Sequence, residues 1–198
     1  KMNGFGKIEY SSGSIYEGNF KNNQPNGKGK IDFSDGGSYE GSWVNGVIEG
    51  FGIAKYANGL VYEGEFSRGK NNGSGTMTYS DGYVYKGNWE NGIQEGKGEE
   101  KFANGTTYKG EFKNNQRHGK GTMKMEDGFS YSGDWVSGEM SGKGIAVYAN
   151  GDKYEGFFLN GKREGKGVMT FQDGKVIDTI WEAGKEVEKD KNRITPSN

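Results

Sequence analysis

Along most of the chain, apolar and polar residues alternate with a period of two, and glycine-containing turns cut the alternation at fixed intervals. In Gly75-Thr76-Met77-Thr78-Tyr79 every second residue is apolar or glycine, the pattern of a strand with one covered face. Ser80-Asp81-Gly82-Tyr83 follows, and its Asp-Gly step supplies the positive φ that a tight hairpin turn requires. Val84 to Trp89 alternates again, and Glu90-Asn91-Gly92 turns the chain into the next hairpin. The pattern puts Tyr85, Gly87 and Trp89 on one face of their strand, and Gly73, Gly75, Met77 and Tyr79 on one face of its partner. If the pleat brings the two sets to the same side, rings lie over glycines and recover burial that glycine cannot supply.

The unit recurs without insertion or deletion. Tyrosine stands at 16, 39, 62, 85, 108, 131 and 154, each 23 residues after the last. Four residues beyond comes a large ring, from Phe20 and Trp43 through to Phe158 and Trp181, alternating Phe and Trp through eight units. A Gly-x-Gly pair runs in step from Gly4/Gly6 to Gly165/Gly167, and a turn glycine from Gly13 to Gly174. At the second turn Asn23 and Asn115 replace glycine, the substitution that left-handed geometry tolerates best. The Phe/Trp alternation fits duplication of a multi-repeat block, as does Lys21-Asn22-Asn23-Gln24 returning as Lys113-Asn114-Asn115-Gln116. It also fits a packing rule in which two adjacent tryptophans overfill the space between units.

Composition changes the picture in one respect. Leu, Ile, Val and Phe together fall below the fifth of residues that marks an ordinary packed domain, but aromatics make up 14% and the net charge is −1, which is not the balance of a disordered chain. The expectation is a structure with much surface and little interior. With no cysteine, disulfides, thiolate nucleophiles and Cys-based zinc sites are excluded. The near-neutral charge gives no general drive toward nucleic acid.

These units resemble the MORN (membrane occupation and recognition nexus) repeat, whose pattern is close to Y-x-G-x-W/F-x-x-G-x-x-x-G-x-G. Tyr62-Glu63-Gly64-Glu65-Phe66, Gly69 and Gly73-Ser74-Gly75 carry the match, and it extends from residue 4 to about 184. The resemblance implies an all-β fold: an elongated, single-layer, twisted antiparallel sheet of about eight tandem hairpins. At ~4.8 Å per strand, sixteen strands would extend roughly 75 Å. The array is expected over residues 1–184, with a first unit that starts in mid-pattern. In the last, Val176-Ile177-Asp178-Thr179 replaces the Tyr-x-Gly segment, as suits a capping repeat, and a polar tail is expected over 185–198.

The Gly-x-Gly pairs lack the strand-then-helix setting of a dinucleotide loop. His118, the only histidine, occupies a column otherwise holding Asn26, Glu49, Asn72, Glu95, Ser141 and Glu164, a polar loop position with no nucleophile beside it. Lys86 and Lys109 interrupt the carboxylate column Glu17, Glu40, Glu63 and Glu155, which fits cross-strand pairing better than a metal site. No catalytic residue, metal or cofactor is expected.

Two surfaces remain. An aromatic-glycine groove around Tyr62, Phe66, Tyr85, Trp89, Tyr108, Phe112, Tyr131 and Trp135 is the expected seat of a protein partner, a peptide or a helix. A basic set, Lys97, Arg117, Lys120, Lys143, Lys162, Arg163 and Lys166, is the alternative, a contact for phosphoinositides or an anionic membrane. The family implies a non-catalytic scaffold in a cytoplasmic setting with cytoskeletal, ciliary or peripheral-membrane contact. It also implies a second alternative, the regulatory region of a larger enzyme, since such arrays accompany lipid kinases and a protein methyltransferase. Exposed strand edges make a homodimer a further expectation.

Overall fold

A computed structural model describes residues 1–189. They form seventeen antiparallel strands of one open, single-layer sheet, with no helix among the described residues. The described residues divide into two compact units that meet after Gly98, with the boundary inside one strand. The first unit holds β1 (Gly4–Glu9), β2 (Ile15–Lys21), β3 (Gln24–Asp32), β4 (Ser38–Val44), β5 (Val47–Lys55), β6 (Val61–Ser67), β7 (Lys70–Thr78) and β8 (Val84–Glu90), and most of β9 (Ile93–Lys101). The second holds β10 (Thr107–Lys113), β11 (Gln116–Lys124), β12 (Ser130–Val136), β13 (Glu139–Val147), β14 (Lys153–Leu159), β15 (Lys162–Thr170), β16 (Val176–Glu182) and β17 (Lys185–Lys189). β17 pairs with β16, so the sheet continues for five residues past the expected end of the array at 184. Residues 190–198 of the expected tail lie outside the described residues.

Seven- and nine-residue strands alternate, and the difference is a bulge. Where β6 meets β7, Gly64 faces Gly75 and Phe66 faces Asn71, so Glu65 stands against Asn72, Gly73 and Ser74. Gly73 makes this possible with φ +61°. The bulge corrects the expected alternation: a Cβ on Gly73 would meet the Glu65 side chain, on the face away from the rings. Gly75 does share the ring face, since Met77 faces Tyr85 and Gly75 faces Gly87. At the tight turns Asn23 has φ +69° and Asn115 +63°, the left-handed geometry for which asparagine substitutes.

The core is a line of rings on one face of the sheet. In the first unit Tyr16 packs edge-on against Phe20 and against Trp43 of the next repeat, with centroids 5.1 and 5.2 Å apart. In the second, Tyr131 packs likewise against Trp135 and Phe158 at 5.4 and 4.9 Å. Edge-to-face geometry at this distance is favourable for aromatic pairs. Each tyrosine also lies across two glycines. A Cβ at Gly98 would stand 2.6 Å from the Tyr85 hydroxyl, so only glycine fits there. The hydroxyl donates to the carbonyl three residues on, as Tyr62 does to Glu65 at 2.9 Å and Tyr131 to Asp134 at 3.0 Å. Glu65 is the residue that the register skips, so a side-chain donor reaches the strand where the ladder is interrupted. Trp89 and Trp135 add an indole N–H bond to the carbonyls of Gly75 and Gly121.

Candidate binding groove

Tyr62, Phe66, Tyr85, Trp89, Tyr108, Phe112, Tyr131 and Trp135 all lie in this core, and none is more than 6% exposed. The expected aromatic groove is filled by its own rings, because each ring covers the tyrosine of the repeat before it. Burial raises the phenol pKa along the column. Tyr39 and Tyr131 are each pushed up to about 12, the backbone hydrogen bond opposing the shift. Tyr62 and Tyr108 are raised as well, again chiefly by burial.

The open groove is on the opposite face. In the second unit it has a volume of about 1180 Å³ and a floor of glycine backbone. Gly121 faces Gly133 across β11 and β12, and Gly144 faces Gly156 across β13 and β14. With ring seats on one face requiring glycine, the other face is left with a bare strip of main chain. The walls carry Phe157, Ile145, Val168 and Ile180, with Phe157 47% exposed. Four lysines line the groove (Lys109, Lys120, Lys143 and Lys166) against two carboxylates, Glu155 and Asp178. Lys109 pairs with Glu99, Lys120 with Asp134, and Glu155 with Lys153. Lys143 and Lys166 form no ion pair among the described residues; the Lys143 ammonium lies 5.6 Å from the Phe157 ring centroid.

The structure therefore divides the basic set. Lys120, Lys143 and Lys166 come together in this groove, and Lys109 joins them. Arg117 and Arg163 belong to the ring face. Arg117 pairs with Glu100, both side chains largely covered, and its guanidinium stands 4.9 Å from the Tyr108 ring centroid. Arg163 stacks on Trp181 at 3.3 Å. Lys162 is exposed beside the turn that starts β15, and Lys97 is exposed in the first unit. Alternation separates the arginines from the lysines: Arg117 and Lys120 lie on either side of the bulge that Gly119 forms at φ +61°.

Sequence reasoning missed the groove's apolar walls, although a signal was present. The column of Phe157 and Ile180 holds Asn19, Ser42, Glu65, Asn88, Glu111 and Asp134 in earlier units, and turns apolar only at the end. His118 sits in β11 opposite Glu111. Among the described residues, no three His, Asp or Glu side chains group as a metal site.

No curated protein matches the sequence. Among solved structures, the SAS-4 (dCPAP) TCP domain of Drosophila melanogaster, in complex with a proline-rich motif of Ana2 (dSTIL), has a similar fold. The likeness covers 89% of this chain and 90% of that one at 13% identity, with a TM-score of 0.51. The wild-type TCP10 domain of Danio rerio CPAP aligns over 93% of this chain and 99% of its own at 12% identity, with a TM-score of 0.38. The MORN repeat model matches eight times in succession, over residues 1–15, 16–38, 39–61, 62–82, 85–107, 108–129, 131–153 and 154–176. With the same 23-residue step in its tyrosines, ring seats and turns, the chain belongs to the MORN repeat family.

Proposed function

We propose that the chain is a protein-binding scaffold whose second unit holds a partner segment in the glycine-floored groove. The observation that carries this reading is the groove itself: apolar walls, two lysines (Lys143 and Lys166) that form no ion pair among the described residues, and a floor of glycine main chain on the face that the core leaves free. Such a surface combines apolar anchors with polar contacts at a rim, the arrangement that recurs where peptides dock. The Drosophila SAS-4 TCP domain, similar in fold, is seen with a proline-rich motif, which supports a single-layer sheet as a peptide platform. The buried rings serve this function by dictating the glycines. The setting proposed is the one the family implies, cytoplasmic with cytoskeletal, ciliary or peripheral-membrane contact.

A photo-crosslinking residue at Val168, in the groove, compared with one at Val44, an exposed residue outside it, tests the reading. The scaffold proposal expects protein adducts from the groove position alone, and their loss on Phe157→Asp in a chain that still folds. Lipid adducts would favour the membrane alternative, and adducts to a second copy of the chain would favour the homodimer. Equal capture at both positions would overturn the groove assignment.

A further inference from the structure

We infer that the groove's occupant is an extended acidic segment in polyproline II conformation, with a carboxylate at every third residue. The inference rests on the scaffold reading and adds the chemistry of the partner. Cross-strand register sets out two rows of side chains across the strands. Lys120 faces Asp134, Lys143 faces Phe157, and Lys166 faces Ile180. Two residues further along each strand, Thr122 faces Ser132, Ile145 faces Glu155, and Val168 faces Asp178. The line of Gly121, Gly133, Gly144, Gly156 and Gly167 runs between the rows.

The width of the channel selects an extended chain. Rows two residues apart on a strand are separated by about 7 Å. An α-helix with its side chains is roughly 10–12 Å across and would ride on the rows instead of reaching the glycine floor. The pitch selects among extended chains. Lys120, Lys143 and Lys166 recur at every second strand, about 10 Å apart. A polyproline II helix has three residues per turn and a rise of ~3.1 Å, so the same side returns after about 9 Å. In a β-strand, by contrast, residues three apart point to opposite faces. Lys120 is already paired with Asp134, so a segment with Asp or Glu at every third position presents one carboxylate to each of Lys143 and Lys166 only if it is polyproline-like.

The two rows also set its orientation. Phe157 and Ile180, interleaved with the lysines, suit proline rings between the acids. Glu155 and Asp178 lie in the other row and repel a carboxylate turned that way. The first unit lacks this ladder, because its equivalent column reads Phe5, Lys28, Phe51, Ser74 and Lys97.

The full chain can be titrated, by fluorescence anisotropy, with labelled peptides of equal composition that carry glutamate at every second, third or fourth position on a proline-rich backbone. The every-third peptide is expected to bind at least about tenfold more tightly than the others, a difference that corresponds to one good charge-assisted contact. Combining Lys143→Glu with Lys166→Glu should weaken it by about tenfold or more. A lysine-for-glutamate version of the peptide should then prefer the variant. These lysines are exposed, so an unchanged thermal transition serves as the folding control. Equal affinity for all three spacings, unchanged binding by the double variant, or complete displacement by phosphatidylserine vesicles would each overturn the inference. Should the spacing preference fail while Phe157→Asp still abolishes protein capture from the groove, only the partner's conformation is wrong. Failure of both removes the scaffold reading too.

Discussion

In the first unit the lysines of the groove face are engaged: Lys7 pairs with Glu17, Lys30 with Asp32, and Lys28 donates to Ser42. Three lysines there meet three carboxylates (Glu17, Asp32 and Glu40) in a groove of about 650 Å³. In the second unit the groove is nearly twice as large, lysines outnumber carboxylates, and Lys143 and Lys166 form no ion pair among the described residues. The ring face differs as well. Pro25, Ile48, Asn71 and Gln94 occupy the column that holds Arg117, Met140 and Arg163 in the second unit. The tyrosines, large rings and seat glycines hardly differ between the units. A seat glycine is constrained by the tyrosine above it and a ring by its neighbours, whereas the groove columns meet no such limit, so one backbone carries two surfaces.

If the cores are equivalent, Gly52→Val and Gly144→Val should each cost about 3 kcal/mol or more in urea unfolding, since a side chain at either site overlaps the Tyr39 or Tyr131 ring. A large inequality between them would break the comparison. Arg117→Ala should cost nearly as much, about 3 kcal/mol, by leaving a largely covered Glu100 without its guanidinium. Arg163→Ala, which removes stacking on Trp181 and no ion pair among the described residues, should cost about 1 kcal/mol. Phe66→Trp sharpens the same point. Tyr62 now touches Phe66 and Trp89, and a second tryptophan should overpack it by about 1–3 kcal/mol in thermal unfolding; no loss would leave duplication as the account of the alternation.

The tyrosine column adds a pH signature that both units should share. Because burial raises these phenols, the folded chain keeps protons that the unfolded chain releases. Their stabilisation is fully present below pH 10, the ordinary phenol value, and is lost as the pH climbs from 10 toward about 12. Urea midpoints measured across that window should fall, and Tyr39→Phe or Tyr131→Phe should flatten the decline. The smallest effect belongs to the groove lysines: Lys143→Ala and Lys166→Ala should change stability by no more than about 0.5 kcal/mol. A larger loss would mean that these side chains hold the sheet and are not free to bind.

Much of this was legible in the residues. Asp81-Gly82 and Asn91-Gly92 mark turns that the structure contains, and alternation puts Gly75 and Gly87 each on one face of its strand, while their pairing beneath the rings comes from the register. What the residues do not show is that the expected aromatic groove is filled by its own rings. Exposed rows of Tyr and Trp look like anchors until the rings of successive repeats are seen to cover one another, as Trp43 covers Tyr16. The bulge at Gly73 was also hidden, since Gly-x-Gly reads equally well as two ring seats.

The sequence by itself determined the period, the strands, the turns and the seating of rings on glycines. Each of these depends on short-range geometry: which residues tolerate positive φ, and which side of a pleat a side chain takes. The tertiary structure decided which face closes and which stays open. That depends on contacts between rings from successive repeats, and on the bulge that sends Arg117 to the ring face and Lys120 to the groove. No local pattern distinguishes the two faces, because both alternate with the same period, and only packing shows which one is full.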